Sequence, residues 1–240
     1  MSSTEQTAEA TRELFQEIET HFPSQALGKS KWEILAVAAI TAGGQPERAA
    51  DLYRYLTSKP EYQTPEQRHS LIKRLREALF KLICIIGVPR CLEAIFTIAP
   101  IEKEEDRDYS FSRENWQSGE ENEKRGRRWL SQLYCQNLGS TIGPLSAHRD
   151  FMWTSVEITY GLYLSDHSII DGVDTELVVL SGLMLQNLKN ESAWHLRGIR
   201  RLGVKPVDVE TIHQCIEKVA EFCGVSMSKV PRVDDIEHEV

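Results

Sequence analysis

The sequence predicts an all-α fold, and three observations support this prediction. Apolar residues recur at helical spacing over residues 175–186, with Asp174 as the expected N-cap. A second run, over residues 65–86, keeps a single apolar stripe, and Gly87 together with Pro89 is expected to end it. The third observation is that the first pattern occurs twice in the chain. We therefore expect a helical core organised around residues 175–186.

A second helix is expected directly after the first. A polar break follows Gln186, Asn190 is the expected cap, and Gly203 ends the pattern with Pro206 shortly beyond it. Two helices separated by so short a break are expected to pack as a hairpin.

The predicted hairpin can bring three residues with titratable side chains close to one another. Glu191 and His195 are four residues apart in the second helix and therefore share a face, which the hairpin can fold toward Glu176. We predict that the three side chains converge. The alternative is that Glu191 and His195 form an ordinary exposed pair and that Glu176 only favours a helix N-terminus through the helix dipole.

The repeat lies in the first half of the chain. WEILAVAAITAGGQPERAADLYRYL, which begins at Trp32, aligns without a gap with TELVVLSGLMLQNLKNESAWHLRGI, which begins at Thr175. Glu33 then falls on Glu176, and a later block, REALFKLICIIGVP against HQCIEKVAEFCGVS, keeps the apolar register. Matching register over two blocks predicts a duplicated helical unit.

The two copies differ at the acid–base positions. Where the second copy has Glu191 and His195, the first has Arg48 and Leu52. Only the second copy can therefore carry the proposed acid–base set.

The second copy resembles the carboxymuconolactone decarboxylase family, which includes the alkyl hydroperoxidase D-like proteins. That family is all-helical and carries a Glu, a Cys-x-x-Cys and a His at fixed offsets; Glu176 and His195 stand at the Glu and His positions. Its two cysteine positions fall on Leu188 and Glu191. A dithiol peroxidase is thus disfavoured, because no thiolate is available to attack or to resolve. The chain looks more like the decarboxylase branch. The segments WHLRGIRRLGV, YGLYLSD and GVPR also resemble that branch.

The resemblance covers roughly residues 31–225 and implies an alkyl hydroperoxidase D-like helical fold with two pseudo-repeated units. Because relatives of this fold form rings of the helical unit, it also implies a homo-oligomer, a dimer or trimer. The expected organisation is an N-terminal helical extension over residues 1–30, a first repeat over 31–100, a charged connection over 101–128, a second repeat carrying the site over 129–226, and a polar tail over 227–240.

Composition limits the function classes. Hydrophobic residues make up 41% and charged residues 27%, as in ordinary soluble globular proteins. A net charge of −8 argues against a general nucleic-acid surface, since phosphate binding needs clustered Lys and Arg. No stretch reaches transmembrane length, and neither a secretory signal nor a terminal Ser-Lys-Leu is visible. We expect a cytoplasmic protein without a membrane or nucleic-acid partner.

No cofactor or metal is expected. The five cysteines have no close pair and are most simply reduced, and no glycine-rich phosphate loop occurs. A zinc site remains an alternative without a motif, built from His148, His167, Glu176 and His195.

Aromatic residues cluster before the second copy. They are expected to pack in the core, and the alternative is that they form the wall of a pocket. Phe151, Ser155, Ile158 and Leu162 are expected to share one helix face. Candidate groups for binding a small-molecule substrate are Glu157, Tyr160, Trp194, His167 and Arg197. Arg197 either holds a substrate carboxylate or forms a structural pair, and its counterpart Arg54 in the first copy favours the structural role.

These observations lead to cofactor-independent acid–base chemistry. The expected enzyme is a decarboxylase, lyase, isomerase or cyclase acting on a small organic acid, lactone or polyketide-like substrate. His195 is the expected base or acid, Glu176 orients it or takes the proton, and Glu191 is a second shuttle. The alternative is a catalytically inert oligomeric scaffold or binding protein that keeps the fold.

Overall fold

The computed structural model describes the backbone of residues 3–240, and the side chains from Ala8 onward. No strand occurs among these residues, so the all-α prediction is confirmed. The helices of the first half are α1 (Ser3–His21), α2 (Ser24–Leu27), α3 (Lys31–Ala42), α4 (Ala49–Thr57), α5 (Pro65–Ile86) and α6 (Val88–Ile98). Those of the second half are α7 (Glu120–Tyr134), α8 (Leu138–Ile142), α9 (Arg149–Trp153), α10 (Gly172–Leu185), α11 (Lys189–Arg201), α12 (Pro206–Cys223) and α13 (Val233–Ile236), with a π-helix over Thr154–Leu164.

Helix α5 has the bounds that the sequence pattern predicts. Thr64 and Gln67 form a capping box at its start, and Pro65 occupies the first helical position. Gly87 ends the helix with a φ of 89°, a value that glycine adopts without strain. The prediction that Pro89 helps to end α5 is wrong: Pro89 lies in the first turn of α6, where its missing N–H costs nothing.

Helix α10 begins earlier than predicted. Asp171 is the N-cap: its side chain accepts from the N–H of Asp174, whose carboxylate accepts in return from the N–H of Asp171. Asp174 is therefore the third residue of the helix and not its cap. Lys31, at the start of α3, forms ion pairs with both carboxylates at 2.5 and 3.0 Å, which joins the N-termini of α3 and α10.

Helices α3 and α10 pack extensively against each other within the main hydrophobic core. Both helices are apolar on all sides, and nearly all of their residues are buried. In each half the central helix is followed by a shorter helix and then a long one, α4 and α5 in the first and α11 and α12 in the second. The residue near the start of each central helix, Glu33 or Glu176, is buried.

The charged connection is fastened to α5. Arg113 donates two hydrogen bonds to Glu77, at 2.7 and 2.5 Å, and its guanidinium lies 4.0 Å from the ring centre of Phe80. Trp116 is half-buried beside Arg113 and Arg125. These contacts explain how a segment with few aliphatic residues keeps a fixed path.

The predicted helix face over Phe151 to Leu162 is wrong. Residues 154–164 form a π-helix, whose wider turn changes which positions share a face. The buried positions are Val156, Glu157, Tyr160, Gly161 and Leu164. Phe151 is 69% exposed, so it is neither core nor wall of a closed pocket.

Candidate functional site

The hairpin of α10 and α11 brings Glu176 and His195 into contact. His195 Nδ1 lies 2.8 Å from Glu176 Oε2, and the two residues are 5% and 0% exposed. A carboxylate oxygen only accepts, so Nδ1 carries the proton and Nε2 of a neutral imidazole is an acceptor. The pairing therefore fixes both the orientation and the tautomer of the ring.

Two tyrosines face the other ring nitrogen. The hydroxyl of Tyr160 lies 3.2 Å from His195 Nε2 and that of Tyr134 lies 3.4 Å from it, while the two hydroxyls are 2.8 Å apart. Burial raises the pKa of both tyrosines, so both hydroxyls stay protonated and can donate. We call Glu176, His195, Tyr134 and Tyr160 the acid–base cluster: a carboxylate, an imidazole and two hydroxyls in hydrogen-bond sequence.

A glycine of α11 allows the close approach of its neighbours. A Cβ at Gly198 would lie 3.1 Å from Glu176 Oε2 and 3.2 Å from Leu133 of α7. The other carboxylate oxygen of Glu176, Oε1, is buried and has no hydrogen-bond partner among the described residues. One acceptor of the cluster therefore retains its capacity for a hydrogen bond.

Glu191 lies outside the acid–base cluster. It is partly exposed, and within residues 8–240 its carboxylate makes no hydrogen bond or ion pair. The imidazole of His195 contacts Glu176 of α10 and Tyr134 of α7. The structure thus brings together two of the three residues predicted to converge, Glu176 and His195, and leaves the third apart.

The other predicted binding residues are dispersed. Tyr160 belongs to the cluster, and the ring of Trp194 lies 6.2 Å from that of Tyr134, centre to centre. Glu157 is buried and accepts from the backbone N–H of Gly119, which fixes the connection before α7. His167 packs edge-on against Trp129 on a loop.

Arg197 is not a member of the acid–base cluster. It forms an ion pair with Glu239 at 3.1 Å and is 6% exposed. Its counterpart Arg54 is a surface residue that pairs with Asp51 of its own helix. The two aligned arginines therefore have different surroundings.

Tyr134 is the cluster member that sequence reasoning did not select as a site residue. It stands 61 positions before His195, at the end of α7, and no spacing rule connects the two. The only available signal is the density of aromatic residues between Trp129 and Tyr163.

In the described part of the chain, potential metal ligands are not clustered and the cysteines form no disulfide. No group of three or more His, Cys, Asp or Glu side chains there could hold a metal ion, and His148, His167 and His195 are not brought together. All five cysteines are free. Burial raises the pKa of Cys215 to about 12 and that of Cys223 to about 11, so neither supplies thiolate near neutral pH.

Comparison with known proteins adds one relative. Peroxisomal protein 2 of Schizosaccharomyces pombe is 22% identical over 197 residues, which cover 80% of this chain and 86% of the relative. No family model and no solved structure matches the chain. Within residues 3–240, none of the helices combines the length and the hydropathy that crossing a bilayer requires. The similarity extends along most of both chains, and the relative's name states a location without an activity.

Proposed function

We propose that this protein is a cofactor-independent acid–base enzyme, a decarboxylase, lyase, isomerase or cyclase, acting on a small organic acid, lactone or polyketide-like substrate. The observation that carries the proposal is the acid–base cluster: a buried carboxylate fixes one nitrogen of His195, and two protonated hydroxyls face the other. Such an arrangement can accept a proton, return it and hold a developing oxyanion.

The chemistry follows from the roles that each group can take. Nε2 of His195 removes a proton from the substrate, and Glu176 stabilises the resulting imidazolium. Loss of CO₂ or abstraction of a proton leaves an electron pair that is delocalised as an enolate. A tyrosine hydroxyl donates a hydrogen bond to the enolate oxygen, and the imidazolium returns the proton to carbon. No redox partner is needed.

The same proposal includes the alkyl hydroperoxidase D-like fold with two repeated units. Both halves order their helices alike around a buried glutamate. In the first half Glu33 is bonded to the hydroxyl of Tyr62 and the guanidinium of Arg74, with no histidine. This difference supports a single acid–base cluster per chain, in the second half.

We also propose that the chain forms a homo-oligomer, a dimer or trimer. Helix α6 exposes Val88, Leu92 and Phe96, which are spaced four residues apart and therefore form one apolar stripe. A second copy of the chain would remove this stripe from water. The cytoplasmic location stays a prediction, and the relative's name favours testing the peroxisome first.

An inert scaffold is the second candidate, and the burial of the cluster favours it. His195 and Tyr160 are 5% and 6% exposed, as expected of a hydrogen-bonded core that never meets a substrate. The two candidates differ in whether a small molecule reaches His195.

The test is a thermal-shift screen with small lactones, β-keto acids and aromatic carboxylates, followed by turnover assays of any compound that stabilises the protein. The native chain is compared with His195→Asn and with a matched control, His213→Asn. His213 is also buried and also lies near a glutamate, Glu217, at 3.5 Å. A ligand at 100 times its Kd stabilises a protein by about 2.7 kcal/mol, which a melting curve resolves.

We expect one compound class to raise the Tm of the native chain and of His213→Asn but to have a much smaller effect on His195→Asn. If no compound shifts any of the three proteins, or all shift equally, the acid–base proposal is lost and the scaffold is the better account.

A further inference from the structure

A cavity of about 870 Å³ lies between α11 and the C-terminal segment, residues 228–239. We call it the α11 cavity. The charged and aromatic side chains that line it are Lys189, Trp194, Arg197, Lys229, Asp235 and Glu239. It is of the size that small-molecule sites have in proteins.

Arg197 is a buried charged residue in the lining of this cavity. Its guanidinium is held by one ion pair, Nη1 to Glu239 Oε2 at 3.1 Å. Its Nε is buried and has no hydrogen-bond partner among the described residues. A buried guanidinium with an unused donor is costly, and a ligand with two acceptor oxygens would satisfy it better than one carboxylate oxygen does.

The cavity carries an excess of unpaired positive charge. Neither Lys189 nor Lys229 has its ammonium in an ion pair within the described part of the chain. The carboxylate of Asp235 accepts from the backbone N–H of Arg232 at 2.9 Å and keeps its negative charge, so the lining holds three cationic side chains and two carboxylates. Glu239 is the remaining carboxylate, and its side chain is 40% exposed. The electrostatics therefore favour an anion.

The segment that carries Glu239 is fixed independently of Arg197. Val233 and Ile236 are buried in the core, and Glu237 makes two hydrogen bonds with Arg200, at 2.8 and 2.6 Å. The backbone carbonyl of Glu239 accepts from Arg201 at 2.7 Å. The Glu239 side chain can therefore rotate away from Arg197 without unfolding of the segment.

Trp194 supplies a flat wall and a connection to the acid–base cluster. Its ring lies 6.2 Å from the ring of Tyr134, which in turn lies 6.0 Å from that of His195. A planar ligand can stack on an indole, and one placed here is separated from His195 by a single aromatic residue.

We propose that the α11 cavity binds a small carboxylic acid with a flat, unsaturated or aromatic body, whose carboxylate takes the place of Glu239 on Arg197. The Glu239 carboxylate is thus a built-in competitor that occupies Arg197 when the acid is absent. This inference rests on the proposed function only for the acid's role as substrate; the binding itself does not require turnover.

The test is isothermal titration calorimetry with benzoate, an unreactive probe, and with acetate as the probe that lacks the flat body. Glu239→Gln removes the competing charge and is expected to bind benzoate about fivefold more tightly than the native chain. Glu237→Gln is the matched control, because it removes a carboxylate two positions away that pairs with Arg200 instead. Buried Val233 and Ile236 and the bond from Arg201 to the Glu239 carbonyl still hold the segment in this variant, so its affinity is expected to stay within about twofold. Acetate should bind more weakly than benzoate.

Arg197→Met is expected to weaken benzoate binding about tenfold or more, with folding checked by circular dichroism. Unchanged affinity in a folded Arg197→Met, equal affinities in Glu239→Gln and Glu237→Gln, or no binding of millimolar benzoate by the native chain and Glu239→Gln would each overturn the inference. If Arg197→Met does not fold, the two glutamate variants still decide.

The outcomes separate this inference from the proposed function. Benzoate binding that follows the predicted order without any turnover of lactones or β-keto acids leaves the cavity assigned and the acid–base enzyme rejected. Turnover that depends on His195 but not on Arg197 gives the opposite result.

Discussion

Replacing His195 by asparagine is expected to lower kcat for the substrate class found in the ligand screen by at least about 100-fold. A positioned general acid or base typically contributes between about 10² and 10⁴ to a rate. Asparagine can still donate a hydrogen bond toward Glu176, so the buried carboxylate keeps a partner. It has no atom that can take a proton at the position of Nε2. The expected loss is therefore in turnover and not in folding.

The His213→Asn control separates chemistry from packing. Both histidines are buried on helices of the second half, and each lies near a glutamate. We expect His213→Asn to retain kcat within about twofold, since no tyrosine hydroxyl faces its ring among the described contacts. Retention of more than half of the native kcat by His195→Asn would mean that the cluster is a packed core without a chemical role.

The second large effect concerns Lys81, a fully buried lysine of α5. Its ammonium donates to the carbonyls of Leu164 and Asp166, at 3.1 and 2.5 Å, and to the hydroxyl of Thr175 at 2.9 Å. These bonds fasten the end of the π-helix, which carries Tyr160, to α10, which carries Glu176. Burial lowers the pKa of Lys81 from 10.5 to about 8.

The lowered pKa of Lys81 sets the sign of a pH effect on stability. Between pH 8 and pH 10.5 the unfolded chain keeps the proton at this position while the folded chain releases it. The unfolded state thus binds more protons, and the free energy of unfolding rises with pH through this window. The shift corresponds to about 3 kcal/mol in total.

The measurement is urea unfolding of the native chain and of Lys81→Met across this pH window. Buried thiols act in the opposite sense: burial raises the pKa of Cys91 and Cys215 from 9.0 to about 12, so their contribution is lost as pH rises. They are present in both proteins and cancel in the difference. We expect the native chain to gain stability relative to Lys81→Met between pH 8 and 10.5. Parallel pH profiles would contradict this account of Lys81.

Local patterns predicted the helices well where one apolar stripe or a full cap is present. Helix α5 has both, and its predicted bounds agree with the structure. The start of α10 was misplaced, because Asp171 and Asp174 are both good N-cap residues and only the reciprocal hydrogen bonds decide between them. The π-helix had no sequence signal, since its extra residue per turn depends on packing against α7.

The candidate site was likewise predicted from the sequence only in part. Glu176 and His195 were selected together because a short hairpin limits where their side chains can lie. Glu191 shares a helix face with His195, but helical spacing alone does not determine the direction in which each side chain points. Tyr134 and Glu239 come from distant segments, and only tertiary packing brings them to His195 and Arg197.

Nitrogen-15 NMR of the His195 imidazole is the most direct test of the acid–base cluster. The geometry predicts that a neutral ring carries its proton on Nδ1, bonded to Glu176, and that its unprotonated Nε2 faces the hydroxyls of Tyr134 and Tyr160. Addition of a stabilising acid from the ligand screen should move the Nε2 resonance in the native chain while Nδ1 keeps its proton. A proton on Nε2 in the neutral ring, or a resonance that no ligand disturbs, would contradict the assignment of His195 as the reacting base.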